Sequence, residues 1–208
     1  MKKTASALAI IAILFSTTAC SSSKTAKEEM YIQKAELTEA EQSILEFVGS
    51  EKPPYILDFL VDDTIQSLQI NTYELQGTEW KLISGGGGTQ LNEPQSRIAL
   101  TFDNIGLGLR TAVENKGSNS YKTERDFDFE GLSTTTSYLT DKTMIEYEKE
   151  IPLVIQIHTS KDTISSLSPE HAFYELRTYA NSKYEKVYAI TCLFSQKTVN
   201  ELTEQTAK

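Results

Sequence analysis

Residues 151–159 read IPLVIQIHT, nine residues without a formal charge in which Leu153, Ile155 and Ile157 recur at a spacing of two. In an extended chain that spacing puts the three side chains on one face. Such a strand cannot persist alone. Its backbone needs hydrogen-bonding neighbours, and its apolar face needs a second layer to cover it. This one stretch therefore demands a sheet and something packed on the sheet.

Further β-type runs provide the neighbours. Tyr184 to Ser195 contains VYAITCLF, and apolar runs recur at 55–61 (YILDFLV), 65–75 (IQSLQINTYEL), 78–83 (TEWKLI), 97–103 (RIALTFD) and 107–114 (LGLRTAVE). A further pair of strands is expected between 125 and 139. The short link Gln76-Gly77 reads as a hairpin turn. Helical spacing is seen at Leu37, Ala40, Ile44, Leu45 and Val48, with Thr38 and Glu41 as a capping box and Gly49 and Pro53-Pro54 as the stop. Ser168-Pro169-Glu170 reads as a second helix start, with Phe173 and Leu176 as its buried positions. Eight to ten short strands with two helices predict a mainly β chain: one β-sandwich-like domain over 34–196 and a polar tail over 197–208. The βα alternation of a two-lobed transport-binding protein is missing.

The chain has 208 residues and a formal charge of −9. So acidic a body repels phosphate backbones and anionic headgroups, which argues against nucleic acid as a partner.

The N-terminus carries an address. Lys2 and Lys3 precede an apolar core, ASALAIIAILF at 5–15, and Ser16 to Ala19 are small, the order of a signal peptide over 1–19. Thr17-Thr18-Ala19-Cys20 resembles the lipobox of bacterial lipoproteins. Ala19 and Cys20 match the pattern, Thr18 is compatible, and Thr17 stands where the family carries Leu. The resemblance implies cleavage before Cys20 and diacylglyceryl on its sulfur, a lipid anchor to the outer face of the cell membrane. Small residues at 17 and 19 also suit the ordinary signal peptidase, which would leave Cys20 unlipidated. Residues 20–33, beginning CSSSKTAKEE, read as a flexible tether. With Cys20 lipidated, Cys192 has no partner in the chain and reads as a buried hydrophobe. The stretch YELQGTEWKLISGGG at 73–87 is similar to a group of uncharacterised lipoproteins from Gram-positive anaerobes, over most of 34–195, and the similarity implies no activity.

No residue set in the sequence specifies a reaction. The glycines at 85–88 lack the spacing of a nucleotide fingerprint and read as a connection between strands or a recognition loop. Asp126-Phe127-Asp128-Phe129-Glu130-Gly131 opens like a calcium loop, but Ser137 occupies the position that needs a bidentate Glu, so an edge strand is the simpler reading. His158 is expected opposite the apolar face of its strand, near the surface, and His171 has no paired ligand. Trp80 shares parity with Leu82 and is expected to pack inward rather than form a sugar platform. No catalytic residue, metal ligand or cofactor is assigned, and the expectation is not an enzyme. It is a lipid-anchored extracytoplasmic binding or structural module whose ligand is a glycan, a cell-wall component or a protein. The alternative is a secreted hydrolase with a site assembled from dispersed residues.

Overall fold

The structure, a computed structural model, describes residues 29–48, 52–85, 88–122, 127–164, 167–179, 182 and 184–206. The signal peptide, Cys20 and the tether as far as 28 lie outside these residues. Among them the strands are β1 (Tyr31–Lys34), β2 (Tyr55–Leu60), β3 (Ser67–Gln76), β4 (Glu79–Ser84), β5 (Gly88–Gln90), β6 (Gln95–Thr101), β7 (Gly108–Val113), β8 (Gly117–Lys122), β9 (Ser133–Tyr138), β10 (Thr143–Met144), β11 (Glu150–Thr159) and β12 (Lys186–Ser195). Helix α1 (Glu39–Phe47) follows β1, α2 (Pro169–Tyr174) follows β11, and α3 (Val199–Thr206) follows β12.

The strands form two antiparallel sheets, and the chain is a single β-sandwich-like domain, as its alternation requires. The first sheet runs β10-β1-β2-β6-β7-β8. The second runs β4-β3-β12-β11-β9, and β5 pairs with the Ser67–Gln69 end of β3. Leu57, Phe59, Ile98 and Leu100 of the first sheet meet Leu68, Ile190, Cys192 and Phe194 of the second in one buried core. Phe59 and Phe194 interlock edge to face across the layers, their centroids 5.2 Å apart.

The second sheet is covered on its other face too. Ile155, Ile157, Val187 and Ala189 point away from the first sheet and pack under Ala172 and Phe173 of α2, with Tyr179 and Trp80. Ser168 caps α2 through its hydroxyl, as expected. Trp80 packs as predicted, though in this outer cluster: it stacks on Phe173 at 5.1 Å and its Nε1–H donates to the Phe173 carbonyl at 2.9 Å. Leu82, two residues on, is half exposed beyond the cover.

Three features differ from the sequence reading. Leu153 does not share a face with Ile155 and Ile157. Pro152 pairs with Thr191 and Val154 with Ile190, so Leu153 is the extra residue of a β-bulge and turns into the main core. Second, α1 forms with its full capping box but buries no side chain, and Ile44, Phe47 and Val48 are exposed. Glu41 explains its position: it accepts from the Thr38 N–H at 2.8 Å and is ion-paired to Arg97, whose Nε donates to Asp58 at 2.7 Å. Polar contacts thus hold a helix whose apolar residues have no layer to enter.

Third, the domain extends past both expected ends. β1 pairs between β2 and β10 within the segment read as tether, with Ile32 fully buried. The polar tail contains α3, whose Thr198 and Glu201 form a second capping box and whose Leu202 is buried. Residues 127–132 form a turn rather than a strand, with Gly131 at a φ of +77°, while β8 is an unexpected strand. Among the described residues no helix is long and apolar enough to cross a membrane.

The contrast between two phenylalanines tests the packing. Phe59→Ala should destabilise by about 3–5 kcal/mol in urea unfolding, since it leaves a cavity between the sheets. Phe47→Ala, at a side chain 92% exposed, should change stability by less than about 0.5 kcal/mol.

Candidate functional site

Where β3, β4 and β5 face β7 and β8, the two sheets enclose a cleft of about 290 Å³. Its floor is aliphatic, formed by Ile70, Leu109 and Val113. Around that floor stand the side chains of Thr72, Ser84, Thr89, Thr111 and Asn119. The hydrogen-bond network gives none of these five side chains a partner among the described residues, and Thr72 is only 1% exposed. Tyr121 closes one end, its ring fixed because its hydroxyl donates to the Ile105 carbonyl at 3.0 Å. Among the described residues no charged side chain lines the cleft. The site is a neutral, hydroxyl-rich pocket over an apolar base.

Local geometry explains how it stays open. β4 and β5 both pair with β3 but are separate strands, and Gly85 and Gly88 flank the break. The backbone at Gly85 is closely approached: a Cβ there would lie 2.6 Å from Asn71 Oδ1 and 2.9 Å from Leu82 Cδ1, so these side-chain ends would have to shift. Gly88 sits against Val199 of α3. Neither Gly85 nor Gly88 has a positive φ; among the described glycines only Gly77, Gly117 and Gly131 do. Gly86 and Gly87 lie outside the described residues.

Other polar clusters are already satisfied. On the outer face of the second sheet, the Glu150 carboxylate accepts from Asn71 Nδ2 at 2.7 Å, from the Tyr73 hydroxyl at 2.8 Å and from the Thr191 hydroxyl. A hollow of about 260 Å³ beside it is charged, but its Lys149 is paired with Glu146 at 2.6 Å. These contacts tie β3, β11 and β12 together and leave few groups for a ligand.

His158 is not near the surface; it is 2% exposed and faces the first sheet. Both faces of β11 are buried, so the side opposite Ile155 and Ile157 is interior as well. Its Nε2 lies 3.1 Å from Gln156 Oε1, its Nδ1 lies 3.0 Å from the Thr134 hydroxyl, and Phe129 and Tyr188 pack on the ring. Gln156 Oε1 also accepts from the Ile105 N–H at 2.8 Å, and Gln156 Nε2 donates to the Asp103 carbonyl at 3.0 Å. The imidazole therefore donates from Nε2 and accepts the Thr134 proton at Nδ1. Hydroxyl, imidazole and carbonyl stand in the order of a nucleophile, a base and its orienter. The chemistry does not follow: an amide cannot stabilise imidazolium as a carboxylate does, and burial lowers the His158 pKa to about 4. Neither Thr134 nor His158 lines the cleft.

The remaining sequence candidates stay apart. His171 is exposed on α2. Cys192 is free and fully buried in the main core, its thiol pKa raised by burial. Asp126 lies outside the described residues, and Asp128 accepts from the Glu130 N–H at 2.8 Å within its own turn. Among the described residues no group of three or more His, Cys, Asp or Glu is arranged to hold a metal ion. Comparison of the chain with protein-family models, curated proteins and solved structures finds no match. Sequence reasoning passed over the cleft residues because Ser, Thr and Asn on strands carry no motif. The one available signal was the glycine run, which marks the lip.

The His158 environment sets a pH dependence. Burial keeps its folded pKa near 4, below the ordinary value of about 6.5, so the unfolded chain binds the extra proton first as pH falls. Its stabilising contribution is complete above pH 6.5 and is lost on the way down to pH 4, at a cost of roughly 2–3 kcal/mol. Hydrogen bonds from Thr38 hold Glu41 near 2, and those from Ser160 hold Glu185 near 2, so their contributions fall away only below about 4.5. Urea unfolding at pH 7 and pH 5 should show the loss in the wild type and a much smaller one in His158→Gln.

Proposed function

We propose that this chain is a binding module anchored by a lipid on Cys20 at the outer face of a bacterial cell membrane, with the inter-sheet cleft as its ligand site. The observation that carries the reading is the set of five polar side chains around an open cleft with no partner within the described residues. Of these residues only Thr72 is buried, and the others reach the open cleft, where polar groups not engaged by the protein are available to a ligand. The hydrolase reading gains no comparable support: among the described residues no carboxylate or histidine lines the cleft to serve as an acid or base. The ligand class remains a glycan, a cell-wall component or a protein, met outside the cytoplasm.

Anchoring is supported by the Thr17-Thr18-Ala19-Cys20 pattern and by the tether ahead of β1. With two or three acyl chains the protein is held stably, since burial contributes about 0.8 kcal/mol per CH₂. The full-length protein should therefore partition with membranes and resist extraction by salt. Cys20→Ala should abolish the modification and leave either an uncleaved precursor or a protein shed into the medium. Intact mass is the check: wild type recovered from the medium with bare Cys20 would overturn the anchor and leave the cleft untouched.

A further inference from the structure

We infer that the cleft takes the terminal one or two rings of an uncharged sugar chain, an assignment that rests on the cleft being the ligand site. Each hydroxyl around it is both donor and acceptor, and Asn119 adds an amide with both functions. The complement of such a set is a ligand dense in groups that also donate and accept, which describes a sugar ring. A wholly apolar ligand would desolvate Thr72, Ser84, Thr89 and Thr111 without replacing their hydrogen bonds. Thr72 sharpens the point, because a hydroxyl on a residue 1% exposed has only the cleft in which to find a partner.

The other surfaces fit the same ligand. Ile70 from one sheet and Leu109 and Val113 from the other offer aliphatic surface for the C–H face of a pyranose, and the Tyr121 ring, held on Ile105, offers a wall. Size limits the occupant. About 290 Å³ lies at the bottom of the range of roughly 300–1,000 Å³ typical of small-molecule sites. That admits a chain end and excludes a long buried segment. A charged ligand is disfavoured as well, since a carboxylate or phosphate placed here would meet no cation among the described lining residues. The net charge of −9 opposes its approach from a distance.

Titration calorimetry on the full-length protein in a detergent without a sugar headgroup tests the assignment, with cellotriose, maltotriose, tri-N-acetylchitotriose and trigalacturonate as probes. At least one neutral trisaccharide should bind with a micromolar to millimolar Kd, and trigalacturonate should not. Thr72→Val and Thr111→Val keep the shape and remove the hydroxyl; each should weaken binding about tenfold with an unchanged melting temperature. If Thr72→Val impairs folding, Asn119→Ala at the exposed rim serves instead. Absence of binding by every neutral sugar, equal binding of trigalacturonate, or binding that survives all three substitutions overturns the sugar assignment. An uncharged peptide whose binding is lost with the same substitutions would also overturn it, while leaving the cleft as a ligand site.

Discussion

The pairing of β11 with β12, at the centre of the second sheet, is the constraint from which the remaining structure follows. Both strands are ten residues long and are buried on both faces over most of their length. A two-stranded ribbon with two buried faces needs two covers. The first sheet provides one through Phe59, Leu57 and Ile98, and α2 with Trp80 and Tyr179 provides the other. The Leu153 bulge decides which residues go to which cover. Without it, Ile155 and Ile157 would face the first sheet, and Gln156 and His158 would lie under α2.

Burying Gln156 and His158 toward the first sheet obliges the structure to satisfy them. It does so with Thr134, Thr136 and the backbone of Asp103 and Ile105, so the connection after β6 is fastened to the second sheet by side-chain hydrogen bonds. In a low-dielectric interior such a network is stabilising only when complete. The space between the sheets thus holds two polar regions of opposite character. One is closed around His158, with both ring nitrogens and the Gln156 amide paired. The other is open at β8 and unpaired, and that difference is what separates a structural network from a ligand site.

Much of the architecture was legible because local chemistry and tertiary need agreed. Gly77, at a φ of +65°, makes the hairpin that Gln76-Gly77 announced, and Thr38 with Glu41 and Ser168 cap their helices as their spacing required. The failures have physical causes. Strict alternation placed Leu153 with Ile155, although Pro152, which cannot donate within a sheet interior, was a warning of a bulge. Helical periodicity in α1 predicted the helix but not its exposure, since period reports a face and not whether anything covers it. The site was the least legible part. β8 reads GSNSYK, and its cleft-facing positions, Asn119 and Tyr121, serve a pocket rather than a core. A strand that lines a polar cleft loses the apolar alternation by which strands are recognised.

The same device that sets the core also shapes the cleft. Thr72 pairs with Ser84 but Tyr73 pairs with Leu82, so Ile83 is an extra residue in β4, as Leu153 is in β11. Ile83 packs against the main core, and beyond it Ser84 turns toward the first sheet beside Thr72. A regular β4 would continue its alternation and carry Ser84 to the same face as Leu82, away from the cleft. The close approach at Gly85 then ends the strand, and β5 resumes the pairing at Gly88. Bulge, glycine break and short second strand together turn Ser84 and Thr89 inward at one edge of the sandwich. An uninterrupted edge strand would present alternate residues outward there, and the cleft would lose one of its polar walls.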